Sequence, residues 1–412
     1  MRVLLVVGRF PEPSQTFIVS HFVGLVARGV DAHVLCSAGD ERAWNAFPGL
    51  ADRFAERVHV YAPREQPLAT LRELMDSARR TRNAARLSAV IGSLPAPQAA
   101  RRVLMGLQVL ALAPDVIHFE FAVDAVGATW IGDAAQCPVV VSVRGYDVNY
   151  AGLEHPRFYD EVWARADAVH CLGQDLWQRA VRRGCPPDKP HRAIPPGIDI
   201  MRFYPGPARP DSSPFVVLTV ARLHWKKGYD YGLAAIRELV DAGVDVEYRV
   251  VGSGPEEPAI RAAAADLGLT RRVRLLGDRL HDAVLAELHA ADVLMHPAVS
   301  EGFCNAVLEA QAAALPVVCS DADGLAENVA DGITGVVVPR RDAKALAAAL
   351  ARLAADPELR RRMGEAGRRR VIERFDSARQ IQGFVDLYEE VSRRHAGIRV
   401  APQARAGRGR CG

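Results

Sequence analysis

The 412-residue sequence predicts an α/β protein made of two Rossmann-like, doubly wound domains that face each other across a cleft. Three observations carry that expectation. Short β-branched runs alternate with helical patterns from the first residues. The rhythm breaks in a proline-rich stretch at 185–214, with "PPDKP", "IPPGID" and "FYPGPARP". It then restarts.

The elements follow in order. Val3–Val7 is an apolar run of five that ends at Gly8, shorter than the roughly 7 to 15 residues of a secretory segment, and reads as a buried strand. A helix from about Thr16 to Arg28 stops at Gly29, and Ala32–Cys36 is the next strand. Asp115–Phe119, Pro138–Val143 and Ala168–Cys171 follow as strands, each before a helical pattern. Past the proline-rich boundary come Phe215–Val220, Val246–Val251, Val273–Leu276, Val293–Met295, Pro316–Ser320 and Gly335–Val338, then helix to near Arg394. The expected division is an N-terminal domain at 1–195, a C-terminal domain at 196–375, a helix at 376–395 packing back toward the N-terminal domain, and a basic, disordered tail at 396–412.

Composition narrows the class. With 49% hydrophobic and 25% charged residues the chain is neither disordered nor membrane-spanning, since no run of about 18 apolar residues occurs. Seven cysteines, an odd number without a C-x-x-C pair, point to neither zinc nor disulfides and to a reducing cytoplasm. Ser77–Pro114 carries six arginines (79, 80, 82, 86, 101 and 102) and no acid. It reads either as a basic face for anionic lipid or an anionic acceptor, or as a solvated helix face. No aromatics interleave the basic residues, so nucleic acid is not an expected partner.

Chemistry concentrates in the second half. Ser300–Ala310 ("SEGFCNAVLEA") places Glu301 before a helix and Glu309 within it. Peptide N–H groups at Phe303 to Ala306 are expected to be unpaired there, ready for phosphate or sugar oxygens. Two carboxylates eight residues apart hold two separated hydroxyls; alone, they are also an ordinary helix start and a surface acid. Upstream, "ARLHWKKG" follows a strand and brings Arg222 and Lys227, two cations that neutralise a leaving diphosphate. Gly324-Leu325-Ala326-Glu327-Asn328 adds a turn and a carboxylate at the same edge.

Together with "PPGID", "VVGSGPEE" and "LPVVCSDADGLAENVADGITGVVVP", these motifs resemble glycosyltransferase family 4, of the GT-B fold, over nearly the whole chain and most strongly at 194–339. The opening "GRFPEPSQTFI" is similar to the subset that builds bacterial exopolysaccharide and lipid-linked oligosaccharide. The resemblance implies a retaining, metal-independent hexosyl transfer from a UDP- or GDP-linked sugar to a glycan or lipid-linked acceptor; the expected location is cytoplasmic, with peripheral contact with an anionic membrane as one of the two readings of the basic segment. No cofactor is expected beyond the nucleotide sugar. Arg222 and Lys227 match the pair that grips the diphosphate, Glu301 the acid facing the sugar, and Glu309 the acid that binds ribose. Gly302, Phe303, Cys304, Asn305, Gly254 and Glu327 complete the expected sugar-nucleotide site. Glu301 is expected to orient the sugar and stabilise charge, not to act as nucleophile.

The acceptor side departs from the family. Where members read H-x-H, this chain has His118-Phe119-Glu120, and where they read F-H-G-x-D it has Val143-Arg144-Gly145-Tyr146-Asp147. His118 is therefore a candidate catalytic histidine or a buried strand-end residue. Glu120, Arg144 and Asp147 are expected on the acceptor side. The glycine pair of the first loop is replaced by Ser14-Gln15-Thr16, with Ser14 and Thr16 as acceptor-side candidates or helix caps.

Two signals are discounted. Gly252-Ser253-Gly254 is half a dinucleotide fingerprint without its third glycine, and Asp321-Ala322-Asp323 resembles a metal-binding D-x-D in a site already supplied with cations. The alternatives are an inactive partner subunit, or an epimerase or phosphorylase on the same architecture.

Overall fold

The computed structural model describes residues 1–12, 15–39, 41–61, 96–207 and 214–400, in two units. The first comprises Met1–Cys171, Ala180–Arg192 and the chain from Ile381 onward; the second comprises Leu172–Arg179 and Ala193–Gln380. In both, the central strands are runs of Val, Leu and Ile buried on both faces, as a helix-covered parallel sheet demands.

The first sheet contains β1 (Arg2–Arg9), β2 (Asp31–Ala38), β3 (Val58–Val60), β4 (Val116–Phe119), β5 (Val139–Val143), β6 (Ala168–Cys171) and β7 (His191–Ala193), in the order β3-β2-β1-β4-β5-β6-β7. Val3 faces Ala32 on one side and Val116 on the other, so β1 is central, and Val3 to Val7 are almost wholly enclosed. The helix Thr16–Ala27 returns from β1 with Ile18, Phe22 and Leu25 buried. Strands β3 and β7, three residues each, have too little periodicity for the sequence to announce.

The second sheet contains β8 (Phe215–Val220), β9 (Val246–Val251), β10 (Val273–Leu275), β11 (Val293–His296), β12 (Val317–Ser320) and β13 (Gly335–Val338), ordered β10-β9-β8-β11-β12-β13 with every pair parallel. The chain leaves β8 toward β9 and β10, then crosses back to start β11 on the other side. That reversal opens a crevice beyond the carboxyl ends of β8 and β11, where ligands bind in such sheets. One face is packed by the helices Tyr229–Asp241 and Ala343–Ala355 and the other by Asn305–Ala312, while Pro357–Arg374 gives Leu359 and Met363 to the first core and Val371 to the second.

The last helix runs Ser377–Val400, so the first residues of the expected tail are helical; 401–412 lie outside the described residues. Its Phe384 and Tyr388 are enclosed within the first unit beside His21 and His118. Arg79, Arg80, Arg82 and Arg86 also lie outside the described residues. Arg101 and Arg102 lie over the rings of Tyr61 and Trp130, at 5.1 and 5.8 Å. No described helix is long and apolar enough to cross a membrane.

Candidate active site

The reversal between β8 and β11 brings two separate stretches of sequence into contact. The loop after β8 tightens into a turn of 3-10 helix, Trp225–Lys227, and ends at Gly228 in the left-handed region (φ 70°). A Cβ there would lie 2.1 Å from the Pro297 carbonyl, so only glycine lets the loop approach β11 this closely. Val299 N–H donates to the Lys226 carbonyl at 2.8 Å, closing the seam.

Across it, Lys227 Nζ donates to Glu301 Oε2, with side chains only 13% and 12% exposed. His296, the last residue of β11, puts Nε2 3.2 Å from the same oxygen and Nδ1 3.9 Å from Cys304 Sγ. Burial alone would raise the Glu301 pKa, but Lys227 and His296 outweigh it and hold the carboxylate at about 2. Against burial, Glu301 and Cys304 hold Lys227 above its ordinary range. A carboxylate so held is a fixed negative charge and a poor proton acceptor.

The Glu301 loop is anchored from the other side by Asp323. Its Oδ2 accepts Ser300 Oγ–H at 2.8 Å and Glu301 N–H at 3.2 Å, and its Oδ1 takes Arg179 at 2.7 Å and Arg340 at 3.1 Å. The adjacent Asp321 accepts Arg340 N–H at 2.8 Å. The D-x-D look-alike is therefore filled by arginines. His296, Glu301 and Cys304 also bring three donor atoms within 4.8 Å of one another. The Lys227 ammonium on Glu301, and the imidazole nitrogens pointing opposite ways, make that group a poor cation site.

The helix Asn305–Ala312 begins beyond this loop. Cys304 N–H is paired, contrary to the expectation of an open row from Phe303 to Ala306: it donates to buried Asn328 Oδ1 at 3.3 Å. Among the described residues, the N–H groups of Phe303, Asn305 and Ala306 have no partner, which leaves an anion-binding helix start. Phe303 packs toward Phe375, with ring centroids 6.0 Å apart. Gly302 gives its carbonyl to a close approach by Gly324, where a Cβ would come within 2.2 Å. Glu309, one turn along, has no hydrogen-bond partner among the described residues; burial lifts its pKa to about 7, with Arg202 pulling it back. Arg222 is exposed, and its guanidinium has no acid partner among the described residues.

Two expected nucleotide-site residues do other work. Glu327 turns both oxygens onto Gln174 N–H (3.0 Å) and Asp175 N–H (2.8 Å), capping the helix Gln174–Arg182. Gly254 packs where a Cβ would meet the Leu223 carbonyl at 2.2 Å, so the G-S-G turn supports the Arg222 loop from below.

In the first unit the acceptor-side expectations need correction. His118 is wholly enclosed, with Nδ1 2.7 Å from the Tyr388 hydroxyl and Nε2 2.7 Å from Ser142 Oγ. Burial holds it neutral, well below its usual range. This is the buried strand-end geometry, with both ring nitrogens of His118 engaged inside the first unit. Glu120 is also fully enclosed, between His21 Nδ1 at 2.6 Å and Arg144 at 2.6 Å. The two departures from the family pattern are thus one ion pair. Burial opposes ionisation of Glu120, but His21, His118 and Arg144 overcome it. Arg144, 12% exposed, lies 4.1 Å from the Phe17 ring centroid and 5.3 Å from that of Phe121. Buried Asp147 accepts the N–H groups of Arg144 (2.8 Å) and Val123 (2.9 Å), and burial lifts it to about 7; it shapes the loop from inside. Thr16 opens its helix half-buried, Gln15 makes no side-chain cap, and Ser14 lies outside the described residues.

The sequence reading missed His296, Asp323 as an anchor, and Tyr388. A histidine closing a strand five residues before Glu301 was a visible signal for the first. Tyr388 had none, because its partners are 270 and 367 residues away.

Residues 15–197 match the glycosyl transferase 4-like domain, and 203–370 match glycosyl transferases group 1. An Escherichia coli (strain K12) protein named for colanic acid biosynthesis, the glycosyltransferase WcaL, is 35% identical over 47% of this chain, which spans about half (49%) of that relative. Its Salmonella typhimurium namesake is 27% identical over 85% of this chain and 90% of its own. Among solved structures, Anabaena Alr3699/HepE in complex with UDP superposes with a TM-score of 0.76 at 18% identity, over 95% of this chain and 100% of its own.

Proposed function

This chain belongs to the glycosyl transferases group 1, with a glycosyl transferase 4-like N-terminal half, and from that premise we propose that it moves a hexosyl group, with retention, from a nucleoside diphosphate sugar to a glycan or lipid-linked acceptor in exopolysaccharide synthesis. The observation that carries the reading is the crevice between β8 and β11. There Lys227 sits on Glu301, Arg222 is close enough to act on Lys227, and the N–H groups of Phe303, Asn305 and Ala306 are unpaired among the described residues, which supports reading them as diphosphate-binding groups.

As the sugar–phosphate bond breaks, negative charge grows on the leaving diphosphate. The fixed N–H groups of Phe303, Asn305 and Ala306 lower that barrier because they need no rearrangement at the moment of reaction, and Arg222 and Lys227 bring positive charge to it. Glu301, kept ionised and fixed by Lys227 and His296, orients the sugar and offsets positive charge at the anomeric carbon. Glu309, without a protein partner, is available to the ribose hydroxyls. The arginine partners of Asp321 and Asp323 support a reaction that needs no metal.

The first test is thermal unfolding with UDP, GDP or ADP, each in EDTA and in magnesium. One nucleotide is expected to stabilise the protein, by about 2.7 kcal/mol at a hundredfold excess over Kd, and to do so in EDTA. UDP, the nucleotide held by the Anabaena structure, is the first candidate. No stabilisation by any nucleotide overturns the reading.

A second test uses Glu309. Its folded-state pKa, about 7, lies above the ordinary 4.5, so the folded protein holds the extra proton and stability falls as pH rises through that window. Glu309→Gln is expected to remove that fall in a urea titration at pH 5 and 8, and to raise KM for the sugar nucleotide more than it lowers kcat. An unchanged KM removes Glu309 from ribose binding.

A further inference from the structure

Lys227 has two claims on its charge. In the structure its ammonium rests on Glu301, yet the reaction proposed above, on which this inference rests, draws it toward a diphosphate. Glu301 is 12% exposed, so water does not replace a departing ammonium, and a buried carboxylate stripped of its counter-ion takes up a proton or moves. The chain holds a second positive group ready at the same atom. His296 Nε2 reaches Glu301 Oε2 at 3.2 Å from the end of β11, opposite the basic loop, and the ring is 1% exposed.

We propose that His296 is a positioning residue, the resident counter-ion that keeps Glu301 ionised and in place while Lys227 serves the diphosphate. The surroundings fit this role. Cys304 Sγ, 3.9 Å from Nδ1, and Glu301 both favour the imidazolium; burial and Lys227 oppose it, and the balance lies at about 9. Arg222 acts against the charge of Lys227, and Lys227 and Arg222 against that of Lys226, so the basic loop crowds like charges, while Asp323 holds Glu301 by its N–H and leaves the carboxylate oxygens to Lys227 and His296. His296 does not touch the reacting atoms in this scheme; it acts through Glu301.

The test is a histidine NMR titration of the full-length protein, free and saturated with UDP. The His296 signal is assigned by its loss in His296→Gln, or in His296→Asn if the first variant folds poorly. The imidazole is expected to stay protonated at pH 7.5 in both states. In the variant, UDP stabilisation is expected to remain within twofold of wild-type affinity, while transfer or hydrolysis of the sugar nucleotide falls at least tenfold. The acid limb of the kcat profile is expected to move upward by about one pH unit as Glu301 loses its counter-ion. A neutral His296 in the UDP complex, or a variant with wild-type kcat and pH profile, overturns the role while UDP binding still stands. A wild-type protein that binds no nucleotide overturns the reaction itself and this role with it.

Discussion

Lys227→Ala is expected to lower kcat by about 10²- to 10³-fold, the cost of removing one preorganised group from a site of developing negative charge. The ammonium is enclosed, fixed on Glu301, and delivered to the crevice by a turn that only Gly228 permits. The variant also leaves Glu301 with His296 as its nearer counter-ion, so a modest drop in thermal stability is expected beside the kinetic loss. Measured on initial rates with saturating sugar nucleotide, wild-type turnover removes Lys227 from the mechanism. A loss confined to KM reassigns it to ground-state binding.

The second large effect concerns stability. Glu120→Ala is expected to destabilise the fold by about 3–5 kcal/mol, because it strips the largely enclosed Arg144 guanidinium and His21 imidazole of their shared carboxylate partner. The informative experiment is a double-mutant cycle on urea unfolding with Glu120→His, Arg144→His and both together, which puts histidine at the two positions where the sequence departs from the family pattern it resembles. Each single variant leaves one charge of the pair unmatched. The double is expected to be more stable than the sum of the singles predicts, by at least about 1 kcal/mol of coupling. Additive singles mean that the two departures are independent and that the pair is incidental.

The chemistry of the second unit was more legible than that of the first. Arg222, Lys227, Glu301 and Glu309 lie in short runs beside strong strands, and the loop after a parallel strand opens at its carboxyl end. Glu327 and Gly254 misled because a turn at the right edge does not say which way its side chain faces. The carboxylate of Glu327 faces the helix start at Gln174, more than 150 residues earlier. His118, Glu120 and Asp147 misled for a related reason. A polar residue at a strand end is read as open to substrate, and here the enclosing groups come from Tyr388, His21 and Arg144.

By itself the sequence determined the two parallel sheets, the order of their strands' helices, and which loops carry acids and bases. Those features follow from local periodicity, from turn residues, and from the one handedness that strand–helix–strand crossovers adopt. Only the tertiary structure decided which charges meet. Whether Glu301 stands alone or between Lys227 and His296, and whether Glu120 faces an acceptor or pairs with Arg144, depends on side chains from distant segments excluding water at a single point. A charge in water tolerates almost any neighbour, whereas an enclosed one requires a particular partner, and that requirement appears only once the chain has folded.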